Sequence, residues 1–172
     1  AMQPTQRQIT QRDIDAAVLH PLETQPLPST AARAYEIIRP SVVRVRGLGH
    51  QGKEEDADTE TGVGSGVVIV DKGVILTNLH VVASAKRVKV VFADGLESDA
   101  SITGLEAEHD LAVLQAATVP DDLVPATLRS TSDLALGDQV VAVGFPFGIG
   151  PSVSAGVVSG LRREFQSPDG KR

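Results

Sequence analysis

At 172 residues the chain has room for one domain, or for one domain and part of another. Hydrophobic residues make up 41% of it but aromatic residues only 3%, so its core must be built from Val, Leu, Ile and Ala. A formal net charge of -6, with no basic stripe and few stacking groups, argues against nucleic acid as the main partner, and the lack of cysteine excludes disulfides and thiolate metal sites.

No apolar run approaches the length of a membrane span, so no spanning segment is expected. No signal peptide is visible. Ala1-Met2 has the form of a cloning remnant, which leaves room for an export signal or anchor removed beforehand. Residues 1–9 are Gln-rich and polar, and disorder is expected there. Thr10 is placed to cap a short helix, with Asp13 three residues on in a capping-box position. Ile14, Ala17 and Val18 give that helix an apolar face, and Pro21 stops it. Gln25-Pro26-Leu27-Pro28 is an extended linker. Ser29 or Thr30 then caps a second helix over residues 31–38, closed by Pro40. Neither helix carries chemistry; packing on a barrel or assembly is the role open to them.

From Ser41 the period changes to two. Val43 and Val45 alternate with Arg44 and Arg46, the pattern of a half-buried strand. Residues 47–61 form a polar loop with Glu54, Glu55, Asp56, Asp58 and Glu60, whose charges suit a solvated loop better than a cation site of defined geometry. Gly62-Val63-Gly64-Ser65-Gly66 leads into Val67-Val68-Ile69-Val70. A phosphate loop follows a strand and opens a helix; here a strand follows, so the glycines point to a bend and close backbone packing at a barrel corner. Asp71-Lys72-Gly73 is a hairpin turn into the run Gly73-Val74-Ile75-Leu76. Val88, Val90 and Phe92 alternate as a further strand, closed by Asp94-Gly95. A short strand is expected over residues 101–104 and another over Asp110-Leu111-Ala112-Val113-Leu114. Strands this closely spaced leave no room for crossover helices. The sheet must be antiparallel, and closure into a barrel would protect its edges. Val43, Val45, Val67, Ile69, Ile75, Val88, Val90, Leu111 and Val113 are expected inside it. Residues 119–132 are a linker containing Pro and Asp. Strands over residues 139–145 and 152–161 follow, joined by a Gly/Pro loop, and should pair as a hairpin with an unsatisfied edge.

The chemistry centres on Thr77-Asn78-Leu79-His80-Val81-Val82, which ends an apolar run. Polar side chains at such a place need hydrogen-bond partners or cost stability. A histidine fixed on a strand end suits general-base work, because its unperturbed pKa lies near neutrality. Taken alone, His80 also fits a structural histidine satisfied by backbone groups. Asp110, 30 residues on at the mouth of an apolar strand, is either a turn residue or the carboxylate that holds a histidine in its useful tautomer.

Taken together, the blocks Gly64-Ser65-Gly66-Val67-Val68, Gly73-Val74-Ile75-Leu76-Thr77-Asn78-Leu79-His80-Val81-Val82, Asp110-Leu111-Ala112-Val113-Leu114, Gly137-Asp138 with Val143-Gly144-Phe145-Pro146-Phe147-Gly148, and Ser154-Ala155-Gly156-Val157-Val158-Ser159-Gly160 resemble the HtrA (Deg) family of trypsin-like serine proteases. The resemblance covers about residues 41–165, with the blocks in order and at compatible spacings. It implies an all-β, chymotrypsin-like fold of two antiparallel β-barrels, with the site between them in the chain order His, Asp, Ser. Residues 1–40 would be a helical and linker segment, 41–118 the first barrel, and 119–172 a linker and the start of the second. His80 would be the general base and Asp110 its orienting acid. Asn78 and Thr77 belong to the motif without being catalytic. His109 is expected at the surface, and His20 and His50 lie outside the matched blocks. The family's Gly-Asn-Ser-Gly-Gly nucleophile motif is not in this sequence, and Ser65, Ser154 and Ser159 do not substitute for it. The resemblance therefore implies a fragment that ends before the nucleophile, the oxyanion-hole amides and the main specificity pocket, and that by itself is inactive. No cofactor and no metal are implied. The expected partners are unfolded or misfolded polypeptides, the C-terminal half of the protease domain and further copies in a homo-oligomer, in the periplasm or cell envelope. The alternative is a non-catalytic peptide-binding or assembly scaffold of the same fold.

Overall fold

The computed structural model describes residues 10–15, 29–50 and 59–163, without the side chain of His50. The Gln-rich start, Ala17, Val18 and Pro21, the linker at residues 25–28 and the acids Glu54, Glu55, Asp56 and Asp58 lie outside the described residues. Residues 11–15 are helical, and Thr10 and Asp13 cap their start reciprocally. Helix α1 spans Thr30–Ile38, with the Ser29 hydroxyl accepting from the Ala32 N–H, so Ser29 is the cap. A 3-10 turn over Arg39–Ser41, containing Pro40, ends it.

Six strands follow: β1 Val42–His50, β2 Glu60–Val70, β3 Val74–Asn78, β4 Ala85–Val91, β5 Glu97–Glu106 and β6 Leu111–Ala116. They close into one antiparallel barrel in the order β1-β2-β3-β6-β5-β4. Closure through the β1–β4 pair leaves the barrel without a free edge. The strand expected over residues 101–104 is longer, because β5 pairs with both β4 and β6 along its length.

The core is aliphatic apart from Phe92, the one aromatic side chain buried among the described residues. Val43, Val45, Val68, Ile75, Val82, Val90 and Leu114 are all buried in it. On two strands the inward face differs from the expected one. Val67, Ile69 and Val113 are only half-buried and Leu111 is 39% exposed, while Val68, Ala112 and Leu114 point inward. The cause is register. Ile75 pairs with Val68 on one side and Leu114 on the other, and residues directly opposed in an antiparallel pair share a face. An inward Ile75 therefore carries Val68 and Leu114 in with it. A one-residue slip exchanges the faces of a whole strand.

Between β3 and β4 the chain makes a single helical turn, α2, over Leu79–Val82. After β6 the chain stays against the barrel as far as Ala126, whose N–H bonds to the Val68 carbonyl, with Val119 and Leu123 packed on the core; Gly137 and Asp138 bond instead to Val158, just past the second sheet. Strands β7 Gln139–Gly144 and β8 Ser152–Val157 then form a separate two-stranded antiparallel sheet, joined through a 3-10 turn at Pro146–Gly148. The last strand ends at Val157, short of the expected residue 161.

Candidate active site

The site is built where β3 ends beside β6. Those strands pair Thr77 with Ala112 and Asn78 with Leu111. One step beyond that register, Leu79 meets Asp110. The separation of 30 residues along the chain is thus closed by a single strand pair.

His80 does not sit on a strand end. It lies in the first turn of α2, which begins at Leu79. The side chain of Asn78, the residue before the helix, makes no cap bond. Asp110 does that work from across the sheet: its carbonyl accepts the Leu79 N–H at 3.0 Å, and its Oδ1 accepts the His80 N–H at 2.9 Å. The first N–H groups of a helix have no partner within it, so a carboxylate supplied there satisfies them. Asp110 itself has a φ of 53°, the left-handed region that Asp enters more readily than most residues. That bend ends the turn at residues 107–110.

The other carboxylate oxygen faces the ring. His80 Nδ1 lies 2.6 Å from Asp110 Oδ2. Asn78 Nδ2 donates to the same Oδ2 at 3.2 Å and to the Asp110 carbonyl at 3.3 Å. These donors hold the Asp110 carboxyl below the usual carboxylate range, the His80 backbone N–H contributing most, then the His80 side chain and, more weakly, Asn78. An ionised carboxylate only accepts hydrogen bonds. The neutral ring must therefore carry its proton on Nδ1, which leaves the Nε2 lone pair available. The ring is 71% exposed, and among the described residues its hydrogen bonds go to Asp110 alone.

Two further groups fix the turn. Val81 and Val82, next to His80, are buried in the barrel core. Thr77, also buried, donates its hydroxyl to the Ser65 carbonyl at 2.8 Å. The Asn78 contact was not foreseen from the motif; the signal for it was its place as the last residue paired with β6. His109 is exposed, with Glu106 at 3.9 Å. His20 and the His50 side chain lie outside the described residues. The Ser65 hydroxyl is engaged by the Phe145 N–H, and Ser154 is exposed on β8. Among the described residues no group of three or more His, Asp or Glu is placed to hold a metal ion.

Comparison with known proteins bears on the family of the chain. The family model of the trypsin-like peptidase domain matches residues 64–172. The chain is similar to the periplasmic pH-dependent serine endoprotease DegQ of Escherichia coli K12, 36% identical over 156 residues, which is 80% of this chain and 34% of DegQ. It is also similar to the chloroplastic protease Do-like 1 of Arabidopsis thaliana, 36% identical over 78% of this chain and 31% of that protein. With the periplasmic serine endoprotease DegP of Escherichia coli K12 it shares 41% identity over 59% of this chain and 21% of DegP. The chain thus spans about a third or less of the length of these curated relatives.

Proposed function

The chain belongs to the trypsin-like peptidases, among the HtrA (Deg) proteases, and from that premise we propose that it is the part of a serine endopeptidase carrying the general base and its orienting acid. The observation that carries this reading is the 2.6 Å contact between His80 Nδ1 and an Asp110 carboxylate already anchored by the backbone of the same turn. In the proposed mechanism a serine hydroxyl attacks the peptide carbonyl while His80 Nε2 takes its proton. The imidazolium that forms is stabilised by Asp110 and then gives the proton to the leaving amine. The serine and the amides that bind the oxyanion would come from a Gly-Asn-Ser-Gly-Gly segment, absent from this sequence, in a second barrel of which the two-stranded β7–β8 sheet would be the start. Unfolded polypeptide is the proposed substrate. The periplasm or cell envelope is the proposed compartment, since the two Escherichia coli relatives are named periplasmic, although another relative is chloroplastic.

The test is turnover of labelled casein by the 172-residue chain and by a protein extended through the serine motif, each with and without a serine-directed inhibitor. The chain should be inactive, and the extended protein active and inhibited. An extended protein that binds casein without cutting it would favour a scaffold, and inhibitor-resistant cleavage by the chain alone would refute the triad.

A further inference from the structure

In the triplet Gly64-Ser65-Gly66 of β2, each residue meets a different neighbour. A Cβ at Gly64 would lie 2.7 Å from Val81 Cγ2, in the residue next to His80. A Cβ at Gly66 would lie 2.7 Å from Ile75 Cγ2 and 2.8 Å from Val45 Cγ2, in the barrel core. Side chains alternate along a strand, so Ser65 presents its own to the opposite face. There its Oγ accepts the Phe145 N–H at 2.7 Å, just past the end of β7. The approach is tight: a Cβ at Gly144 would overlap Ser65 Oγ and lie 3.2 Å from Ser65 Cβ. On the barrel side the Ser65 carbonyl accepts the Thr77 hydroxyl, three residues before His80. A short path of bonds thus joins the strand that leads into His80 to the sheet that begins the second β-region.

We propose that Ser65 is a positioning residue for the peptidase chemistry: its hydroxyl sets the β7–β8 sheet against the His80 barrel, and thereby the distance from His80 Nε2 to a nucleophile carried on the second barrel. The proposal rests on the peptidase reading given above. No other hydroxyl is bonded to the Phe145 N–H among the described residues. Removing the Ser65 hydroxyl leaves that half-buried donor without a protein partner, so the seam between the two β-regions loosens. Proton transfer between groups on opposite sides of a seam is sensitive to such loosening, since a misplacement of about 1 Å can cost on the order of 10²-fold in rate.

The test compares the full-length wild-type enzyme with Ser65→Ala, Gly144→Ala and the double variant. Active sites are titrated to completion with a fluorophosphonate, and kcat and KM are measured on one labelled peptide. Amide exchange at Phe145 is followed in the same proteins. Ser65→Ala should lower kcat per titrated site by roughly 10- to 100-fold, with KM within about twofold of wild type, and should speed exchange at Phe145. Gly144→Ala should act in the same direction, because its methyl displaces the same oxygen. It should cost less on top of Ser65→Ala than alone, since the overlapped oxygen is then gone. A purely structural role for Ser65 would lower the number of titratable sites and leave kcat per site unchanged, and that result overturns the proposal. So does unchanged exchange at Phe145. If the wild-type enzyme neither cleaves the peptide nor takes the probe, the peptidase reading itself fails and the proposal falls with it. An active wild type matched by Ser65→Ala overturns the proposal alone.

Discussion

Gly62 of β2 and Val81 of the His80 turn meet backbone to backbone: a Cβ at Gly62 would overlap the Val81 carbonyl oxygen and lie 3.1 Å from its carbonyl carbon. Backbone atoms cannot rotate aside as a side chain can. Val81 is also buried in the barrel core, so the turn has little room to retreat. Gly62→Ala is therefore expected to destabilise the chain by about 1–3 kcal/mol, the usual cost of overpacking. Gly104→Ala is the control. Its new methyl would meet only the Val113 side chain, at 3.3 and 3.4 Å, and stability should stay within about 1 kcal/mol of wild type. Denaturant unfolding of the two variants side by side decides the matter; equal stability would mean that the turn yields.

Acid should weaken the hold of Asp110 on that turn. Its carboxyl is held below the usual range, first by the His80 backbone N–H. In the unfolded chain it would titrate near the ordinary value of about 3.9. A folded pKa below the unfolded one contributes stability that is present above the unfolded value and lost as pH falls through the folded one. The side chain is 45% exposed, so solvent screens the gain and it should be modest. Asp110→Asn cannot titrate. The stability gap between wild type and Asp110→Asn should be present above about pH 4 and should shrink as pH falls below it. Denaturant unfolding across that range measures it, and a gap that stays constant would mean the ionised form receives no net support.

Local pattern was enough for the barrel wherever polar and apolar residues alternate. Val43-Arg44-Val45-Arg46 assigns its own inner face, and the structure buries both valines. It was not enough on Val67-Val68-Ile69-Val70 or Leu111-Ala112-Val113-Leu114, where neither parity is distinguished by polarity. There the pairing of Val68 and Leu114 with Ile75 decides, and pairing is a long-range fact. The same holds at the site. Leu79-His80-Val81-Val82 continues a run of apolar and β-branched residues and carries the marks of a strand. It turns into a helix with its first N–H groups capped by Asp110, 30 residues away. The bond from Phe145 to Ser65 spans 80 residues and has no local signal at all. His80 and Asp110 stood out as residue types in a recognisable order, while Asn78 and Ser65 emerge only once the strands are paired.

The β7–β8 sheet should make the 172-residue chain self-associate. Val140, Val153 and Val157 are 42%, 42% and 57% exposed, and among the described residues β7 and β8 pair only with each other. Exposed apolar strands with open edges recruit other strands. Light scattering should show mass rising with concentration. Val153→Lys with Val157→Lys should reduce that rise by placing charge on the edge, without altering the six-stranded barrel. A monomer at every concentration would show that this sheet attracts no partner.

The two residues of the site should fail in different ways. In a protein extended through the serine motif, His80→Ala removes the base; the other histidine whose side chain is described, His109, is exposed and faces Glu106. A loss in kcat on the order of 10⁶ is expected, as for loss of the histidine from a comparable triad. Asp110→Asn keeps the shape of the side chain but gives the ring an amide instead of an acceptor-only carboxylate. Nδ1 is then no longer obliged to carry the proton, and the wrong tautomer becomes competitive, with a loss on the order of 10⁴ expected. The same change also weakens the cap on α2, because Oδ1 of Asp110 accepts the His80 N–H. Asp110→Asn should therefore lower thermal stability as well as turnover, whereas His80→Ala, on an exposed ring, should lower turnover far more than stability. Casein turnover and thermal unfolding of both variants give the comparison. Retained activity in His80→Ala would remove it as the base. Equal stability losses in the two variants would show that Asp110 serves only the ring and not the turn that presents it.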